Sequence, residues 1–507
     1  MNHKTRIVWI LLAALALMVS SFGAAAGAKP TVASSGNVFT VYPTGGDDTE
    51  NIRQAFELAK TAGPGSTVLL APGNFKTRLM EIWDFDGYFK GSGEGVTVID
   101  TFPDQECQSL VNANRWPGLF MFFRGYPRVS DLKIHITPAN PCLEYNFPPG
   151  GPDFNITWII GIEIVASPFN PLTDCMVLQK EPVRGLVERV TIEAEPWDVY
   201  EQWTLWGGLW FGGLGSTLLT IDEECPYRVK FGEGNFTIRN TTVRNTIFGL
   251  SPNNLVNSIV QISDSFLEEN ASGIPVNDFS GSVLEIRNNV LEAGDTGIVI
   301  AIGAANSVPY IAAPSAFNIH HNEFNTFSDS IQLFDYENTE VYYPPQGSRI
   351  KANIHHNHMV IYPEYANAVW GEFVDGVLVH QNTVEGNSLF AFAFGAWGPS
   401  RYGQIMGNDL HNYTSNFDPP SKIYLGPGTE HYRVVVDEAD SVWDEGTNNT
   451  VNEMIKRMKP GMGPMLLEIL KEKLGSLPSA FPSSAPIQGM SLYAQRNYLY
   501  LPVVQSK

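Results

Sequence analysis

One six-residue frame recurs along the second half of the chain. It is an apolar residue, two variable residues, a small polar residue, one variable residue and another apolar residue. It reads IRNTTV at 238–243, ISDSFL at 262–267, IRNNVL at 286–291, IHHNEF at 319–324, IHHNHM at 354–359, VHQNTV at 379–384 and IMGNDL at 405–410. Its fourth position holds Thr241, Ser265, Asn289, Asn322, Asn357, Asn382 and Asn408, at intervals of 24, 24, 33, 35, 25 and 26 residues. Earlier, VSDLKI at 129–134 and VERVTI at 187–192 keep the apolar frame but carry Leu132 and Val190 at the fourth position. A period near 24 is too short for a strand–helix–strand crossover. Such a chain must wind as a parallel β-coil, each turn rising by about the 4.8 Å strand spacing. A small polar side chain at a fixed corner can bond local backbone and the next coil, and identical amides stack well in such arrays.

The rest of the chain fits around this ladder. In DDTENIRQAFELAK, Asp47 is the expected helix N-cap with Glu50 three residues on. Ile52, Ala55, Phe56 and Ala59 share one helical face, and Gly63-Pro64 ends the helix. A strand is expected at Thr67–Leu70, then a turn at Pro72-Gly73. Residues 29–435 are read as one β-helix domain with insertions near 138–180 and 195–235. Residues 436–507 are read as an extension, in which GPMLLEILKEKLG at 463–475 has the pattern of an amphipathic helix.

Residues 1–28 have the form of a secretory signal: Lys4 and Arg6, an apolar run from Trp9 to Met18, and Ala26-Gly27-Ala28 before the cut. The run is short against the about 20 residues that a membrane span needs, and no later segment is long and apolar enough. A secreted or cell-envelope location is therefore expected, with no integral span after cleavage. That compartment is oxidising. Cys107, Cys142, Cys175 and Cys225 match no zinc spacing, so two disulfides are expected, with three pairings open. Without the signal's two basic residues, 30 Lys and Arg face 53 Asp and Glu, a net charge of −23. Such a surface repels nucleic acid and anionic lipid.

The D-D-T-x-x-I-R-Q-A-F helix, the G-S-T-V-L-L-A-P-G-N-F strand and turn, and the coils with Asn at the corner resemble the pectin-lyase-like right-handed β-helix superfamily. The resemblance covers roughly residues 38–435. It implies an all-β solenoid, a right-handed parallel β-helix with an N-terminal cap helix and a C-terminal helical extension. It also implies a polysaccharide partner, because the superfamily includes pectate lyases, polygalacturonases and other lyases beside non-catalytic surface proteins. No single family's catalytic set carries over. Arg349-Ile350-Lys351 matches the last polygalacturonase motif as a string, but the chain has no His-Gly dipeptide and its one Asp-Asp is Asp47-Asp48. RWPGLF at 115–120 lacks the second arginine of the pectate-lyase pattern.

Candidate site residues follow from strand alternation. In the repeat, His320, His355 and His380 face outward in three consecutive coils, and His321 and His356 turn inward or lie at the corner. The outward column reads first as a ring stack, with a substrate-contacting row as the alternative; no metal is assigned to it. Lyase chemistry needs a base beside a uronate and a neutralising cation, for which calcium is the expected ion. Hydrolysis needs two carboxylates about 5 to 9.5 Å apart. Asp335 and Glu372, at strand ends in neighbouring coils, are the candidate pair, beside Asp278 two coils earlier. Lys351 and His355 share an outward parity and form a second candidate base row. Trp206 and Trp210, in the Trp-rich stretch 197–213 read as an excursion from the ladder, join Trp370 as candidate sugar-stacking residues. The bland readings are solvated strand ends for the acids and a sealed apolar loop for the tryptophans. The function read from the sequence is a polysaccharide lyase or glycoside hydrolase with a groove along the coils; the alternative is a non-catalytic glycan-binding or structural surface protein.

Overall fold

Every copy of the frame is a corner. The residue before the small polar position takes a left-handed conformation in coil after coil: Asn240, Asp264, Asn288, His321, His356, Gln381 and Gly407 all have φ between 49° and 60°. The chain therefore turns sharply, and the next residue's side chain swings inward. Asn322, Asn357 and Asn382 are buried there. Each accepts from the backbone N–H of the corner before it: Asn322 N to Asn357 Oδ1 is 3.0 Å, and Asn357 N to Asn382 Oδ1 is 3.0 Å. Each also donates to a carbonyl of the previous coil, as Asn357 Nδ2 does to Ile319 at 2.9 Å. Thr241 and Ser265 extend the same ladder with hydroxyls. A buried amide satisfied in this way fixes both the turn and the rung above.

The computed structural model describes residues 32–103, 118–137, 158–166, 183–195, 205–213, 232–292, 294, 296–302, 313–335, 347–362, 366–388, 391–416, 420–436 and 442–453. The stretch 1–28 expected to be a secretory signal, all four cysteines and the helix expected at 463–475 lie outside these residues.

Apart from the antiparallel first pair, Val32–Ser35 with Val38–Val41, the described strands pair in parallel. One coil reads Ser315–His320, the corner, Glu323–Thr326, then Ile331–Asp335, and the next coil repeats it at Ile350–His355, His358–Ile361 and Val369–Glu372. Their registers are Ile319 with Ile354, Phe324 with Met359 and Leu333 with Gly371. The coils thus build three faces, and the fold is the right-handed parallel β-helix, the hand nearly all parallel crossovers take. Inward residues stack in columns: Ile238, Ile262, Ile286, Ile319, Ile354 and Val379 are all buried in the first face. Each such side chain contributes about 1.5–3 kcal/mol of burial.

The helix Thr49–Ala62 packs Ile52, Ala55, Phe56 and Ala59 against the first coils, with Phe56 edge-on to Phe85 at 5.0 Å. Its cap is one residue later than the sequence pattern indicates. Asp48 occupies the N-cap position but sends its carboxylate to Thr44 and to Lys76 N, while Asp47 accepts from Thr49 N at 3.0 Å. A strand forms at Ser66–Leu70 as expected.

Two expectations change. The Trp-rich stretch is not wholly an excursion: Leu205–Gly212 is a rung of the third face, paired with Trp158–Val165 below and Phe248–Val256 above. The coils also continue past residue 435, with Val442–Asp444 and Thr450–Glu453 pairing onto Ile423–Leu425 and Arg433–Val436.

Candidate functional site

The residues singled out in the sequence separate onto two faces and one corner. On the first face, the imidazoles of His320, His355 and His380 stack at 4.9 and 5.0 Å, near the strand spacing. His321 and His356 stack beside them at 4.9 Å. These last two do not turn inward. The left-handed corner interrupts the strand alternation and leaves both exposed. Each row is closed by a hydrogen bond: His320 Nδ1 to His321 Nδ1 and His355 Nδ1 to His356 Nδ1 are both 2.8 Å. The Nε2 atoms of His355 and His380 reach Asn318 and Asn353 of the coil before, at 3.2 and 3.1 Å. Burial, followed by the neighbouring imidazoles, pushes His355 down to about 4. His380 and His356 are also lowered, by burial first. His355, His356 and His380 are therefore neutral near pH 7. Among the described residues no group of three or more His, Cys, Asp or Glu is placed to hold a metal ion. Lys351 shares this face and reaches the backbone oxygen of Asp375 at 3.4 Å.

Asp335 sits at the corner between the third and first faces and is fully buried. Its Oδ2 accepts from Ser348 Oγ at 2.9 Å and from the backbone N–H of Arg349. Its Oδ1 has no partner. Burial, the largest influence, pushes Asp335 up to about 6 against those bonds. Asp375 continues the same corner, accepting from Ser348 N and Arg401 N, both at 3.0 Å. Asp278, also buried, has a left-handed backbone.

The third face carries the other chemistry. Two outward columns run along it. In one, register places Glu163, Trp210 and Ser251 in sequence, and later Gln332, Trp370, Gly395, Tyr424 and Trp443. In the other lie Asn253 and Asn277, then Phe334, Glu372 and Trp397. Trp206 is on the same rung as Trp210, in register with Ile159; its side chain lies outside the described residues.

Trp370 lies over Gly395, where a Cβ would come within 2.2 Å of the indole. It is coplanar within 12° with Tyr424 at 6.3 Å. Phe392 stacks on Tyr424 at 4.9 Å, and Trp397 and Trp443 flank it at 5.9 and 5.5 Å. The indole N–H of Trp370 donates to Glu372 Oε1 at 2.8 Å. Glu372 is recessed at 4% exposure. Burial raises its pKa first, the Trp370 bond opposes this, and the charge of Asp329 raises it further. Asp329 is itself held by Gln332 Nε2 and Asn367 N, both at 2.6 Å. Toward the middle coils, Asn277 donates to Asn253 at 2.6 Å, and Asn253 to Ser251 Oγ at 2.6 Å.

Asp335 and Glu372 therefore do not share a face. Glu372 is in register with Phe334, one residue before Asp335, so alternation points the two carboxylates in opposite directions. Sequence reasoning missed Tyr424, Trp443, Phe392, Gln332 and the Asn253–Asn277 pair. The signal for all but Phe392, which precedes the strand Phe394–Trp397, was the parity of the third strand in each coil, which carries no repeated motif.

These features define a parallel β-helix with an aromatic, amide- and carboxylate-bearing outer face. No family model matches the chain, and no curated protein matches it. Similar solved structures include a mannuronan C-5 epimerase A-module from Azotobacter vinelandii, at 13% identity and TM-score 0.44, covering 81% of this chain and 96% of that one. A DFA-IIIase from Arthrobacter chlorophenolicus is 10% identical with TM-score 0.44, over 84% and 100% of the two chains. An exopolygalacturonase from Thermotoga maritima is 11% identical with TM-score 0.30, over 74% and 90%.

Proposed function

We propose that the protein is an exported carbohydrate-active protein that seats a polysaccharide along the outer side of its third face and cleaves it with Glu372 as the proton donor. The observation that carries this reading is the pairing of Trp370 with Glu372. A half-exposed indole, stacked in a cluster with Tyr424, Trp397 and Trp443, offers the flat apolar surface that sugar rings pack against. Directly beside it, a recessed carboxyl with a raised pKa has the property a general acid needs. Asn253, Asn277 and Ser251 supply hydroxyl-binding groups further along the same face.

A second reading, a non-catalytic glycan-binding protein, has its own support. Asp335 is committed to capping a corner, and the register neighbours of Glu372 are Phe334 and Trp397 rather than a second carboxylate. A depolymerisation screen separates the two. Purified protein is offered a panel of neutral and uronate polysaccharides, with calcium and with chelator, following both new reducing ends and unsaturated products. Cleavage lost in Glu372→Gln supports the enzyme; binding lost in Trp370→Ala without any cleavage by the parent protein supports the binding protein. Neither binding nor cleavage across the panel rejects both.

A further inference from the structure

We infer that the glycan this face accepts is uncharged, and that it is not a uronate polymer. The inference rests on the proposed function and specifies its substrate class. The groups that a bound chain would meet on the two outward columns are aromatic rings, amides, hydroxyls and carboxylates. Among the described residues the carboxylates on these columns include Glu81 and Glu163, in register through Met121, and Glu372 beside Trp370; Glu445 lies next to them, accepting from Tyr424 Oη at 2.8 Å. Among the described residues most cationic side chains gather elsewhere; Lys422, just before the third-face strand Ile423–Leu425, is tied to the Leu410 carbonyl at 2.9 Å. Arg239, Arg287, Lys351 and Arg433 project from the first face, and Lys133 and Arg244 from the second. Arg124 comes near the end of the third face, 5.4 Å from the ring of Trp83, but it is already paired with Asp84 at 2.6 Å.

Direct recognition of a uronate by side chains calls for a guanidinium or ammonium near the sugar carboxylate. Here a uronate would instead set its carboxylate against Glu163 beside Trp210 and, wherever that carboxyl is ionised, against Glu372, both recessed, where like charges are poorly screened. The chain's formal net charge of −21 adds long-range repulsion. A neutral sugar meets none of this, and its hydroxyls suit Asn253, Asn277 and Ser251. The reaction class follows. Elimination removes a proton made acidic by the adjacent sugar carboxylate, which a neutral glycan lacks. Hydrolysis remains: the C–O bond breaks, water delivers hydroxide to the anomeric carbon, and the leaving oxygen takes a proton.

The test uses matched polymers. Polygalacturonate and alginate are compared with their carboxyl-reduced forms, which keep the backbone and lose the charge, beside neutral glucans and fructans. Binding to the purified full chain is measured by calorimetry at low and high salt. The reduced or neutral polymers are expected to bind about tenfold or more tighter than the acidic ones at low salt, with the gap narrowing as salt rises. The gap should also narrow in the Glu163→Gln and Glu372→Gln variants. Equal or tighter binding of the acidic polymers overturns the inference while leaving a polysaccharide site in place. Binding of no polymer at all rejects that site, and the inference with it.

Discussion

The indole of Trp370 and the carboxylate of Glu372 lie two residues apart on one strand, project from the same side of the sheet, and are joined by a 2.8 Å hydrogen bond. The ring thereby becomes both a stacking surface and a regulator of the acid. Trp370→Phe keeps the ring and removes the donor. Because that bond favours the ionised carboxylate, the variant should hold Glu372 protonated to higher pH. The alkaline limb of a pH–activity profile should move upward, with substrate affinity changed less than in Trp370→Ala.

Gly395 gives a second handle on the same ring. A methyl group there would press on the indole face, whose nearest atom would be only 2.2 Å away. Gly395→Ala should tilt Trp370 off its stack, costing about 1–3 kcal/mol of stability and weakening glycan binding. Quenching of the protein's tryptophan fluorescence by titrated oligosaccharide would report both the loss of affinity and the changed environment.

The corner amides make a sharper stability claim. Asn357 accepts from Asn322 N and donates to Ile319 O and Asn382 Oδ1, so Asn357→Ala leaves several buried groups unpaired. The expected cost is about 2–3 kcal/mol, read from urea unfolding. His356→Ala, one residue earlier but exposed, should cost much less despite sitting in the same repeated motif.

The pH dependence of stability should carry two opposed signals. His355 is lowered in the folded chain to about 4, so the unfolded state takes up its proton first. Its contribution is present above about pH 6.5 and is lost as pH falls toward 4. After allowance for solvent screening this amounts to about 1–2 kcal/mol. Asp335 is raised to about 6, so its contribution is present below about pH 4 and lost as pH rises through 6. His355→Gln should therefore reduce the acid lability of the parent. Asp335→Asn should compare better with the parent at pH 8 than at pH 4.5. Urea midpoints across pH for the three proteins check both signs.

What the sequence made legible, and what it hid, follows from where information repeats. The corner asparagines could be read directly, because one residue type recurs where one buried geometry recurs. So could the core face of the cap helix, since Ile52, Ala55, Phe56 and Ala59 obey the helical period. The histidine column was legible as a stack for the same reason. Alternation alone misplaced His321 and His356, because a single left-handed residue at the corner turns its side chain back to solvent. It also paired Asp335 with Glu372, which a one-residue difference in register sets on opposite sides. The aromatic cluster stayed hidden because Trp370, Tyr424 and Trp443 belong to three different coils and share no local motif. Only the strand register aligns them.

In the proposed mechanism Glu372, and not Asp335, is the acid of the polysaccharide site. The most direct test measures depolymerisation and binding for Glu372→Gln and Asp335→Asn on whichever glycan the parent protein cleaves. The predicted result is a loss of about 100-fold or more in rate for Glu372→Gln with binding retained, and a rate within a few-fold of the parent for Asp335→Asn at a pH where it is folded. Full activity in Glu372→Gln, or abolition in a folded Asp335→Asn, would contradict it and return the chemistry to the corner of the coil.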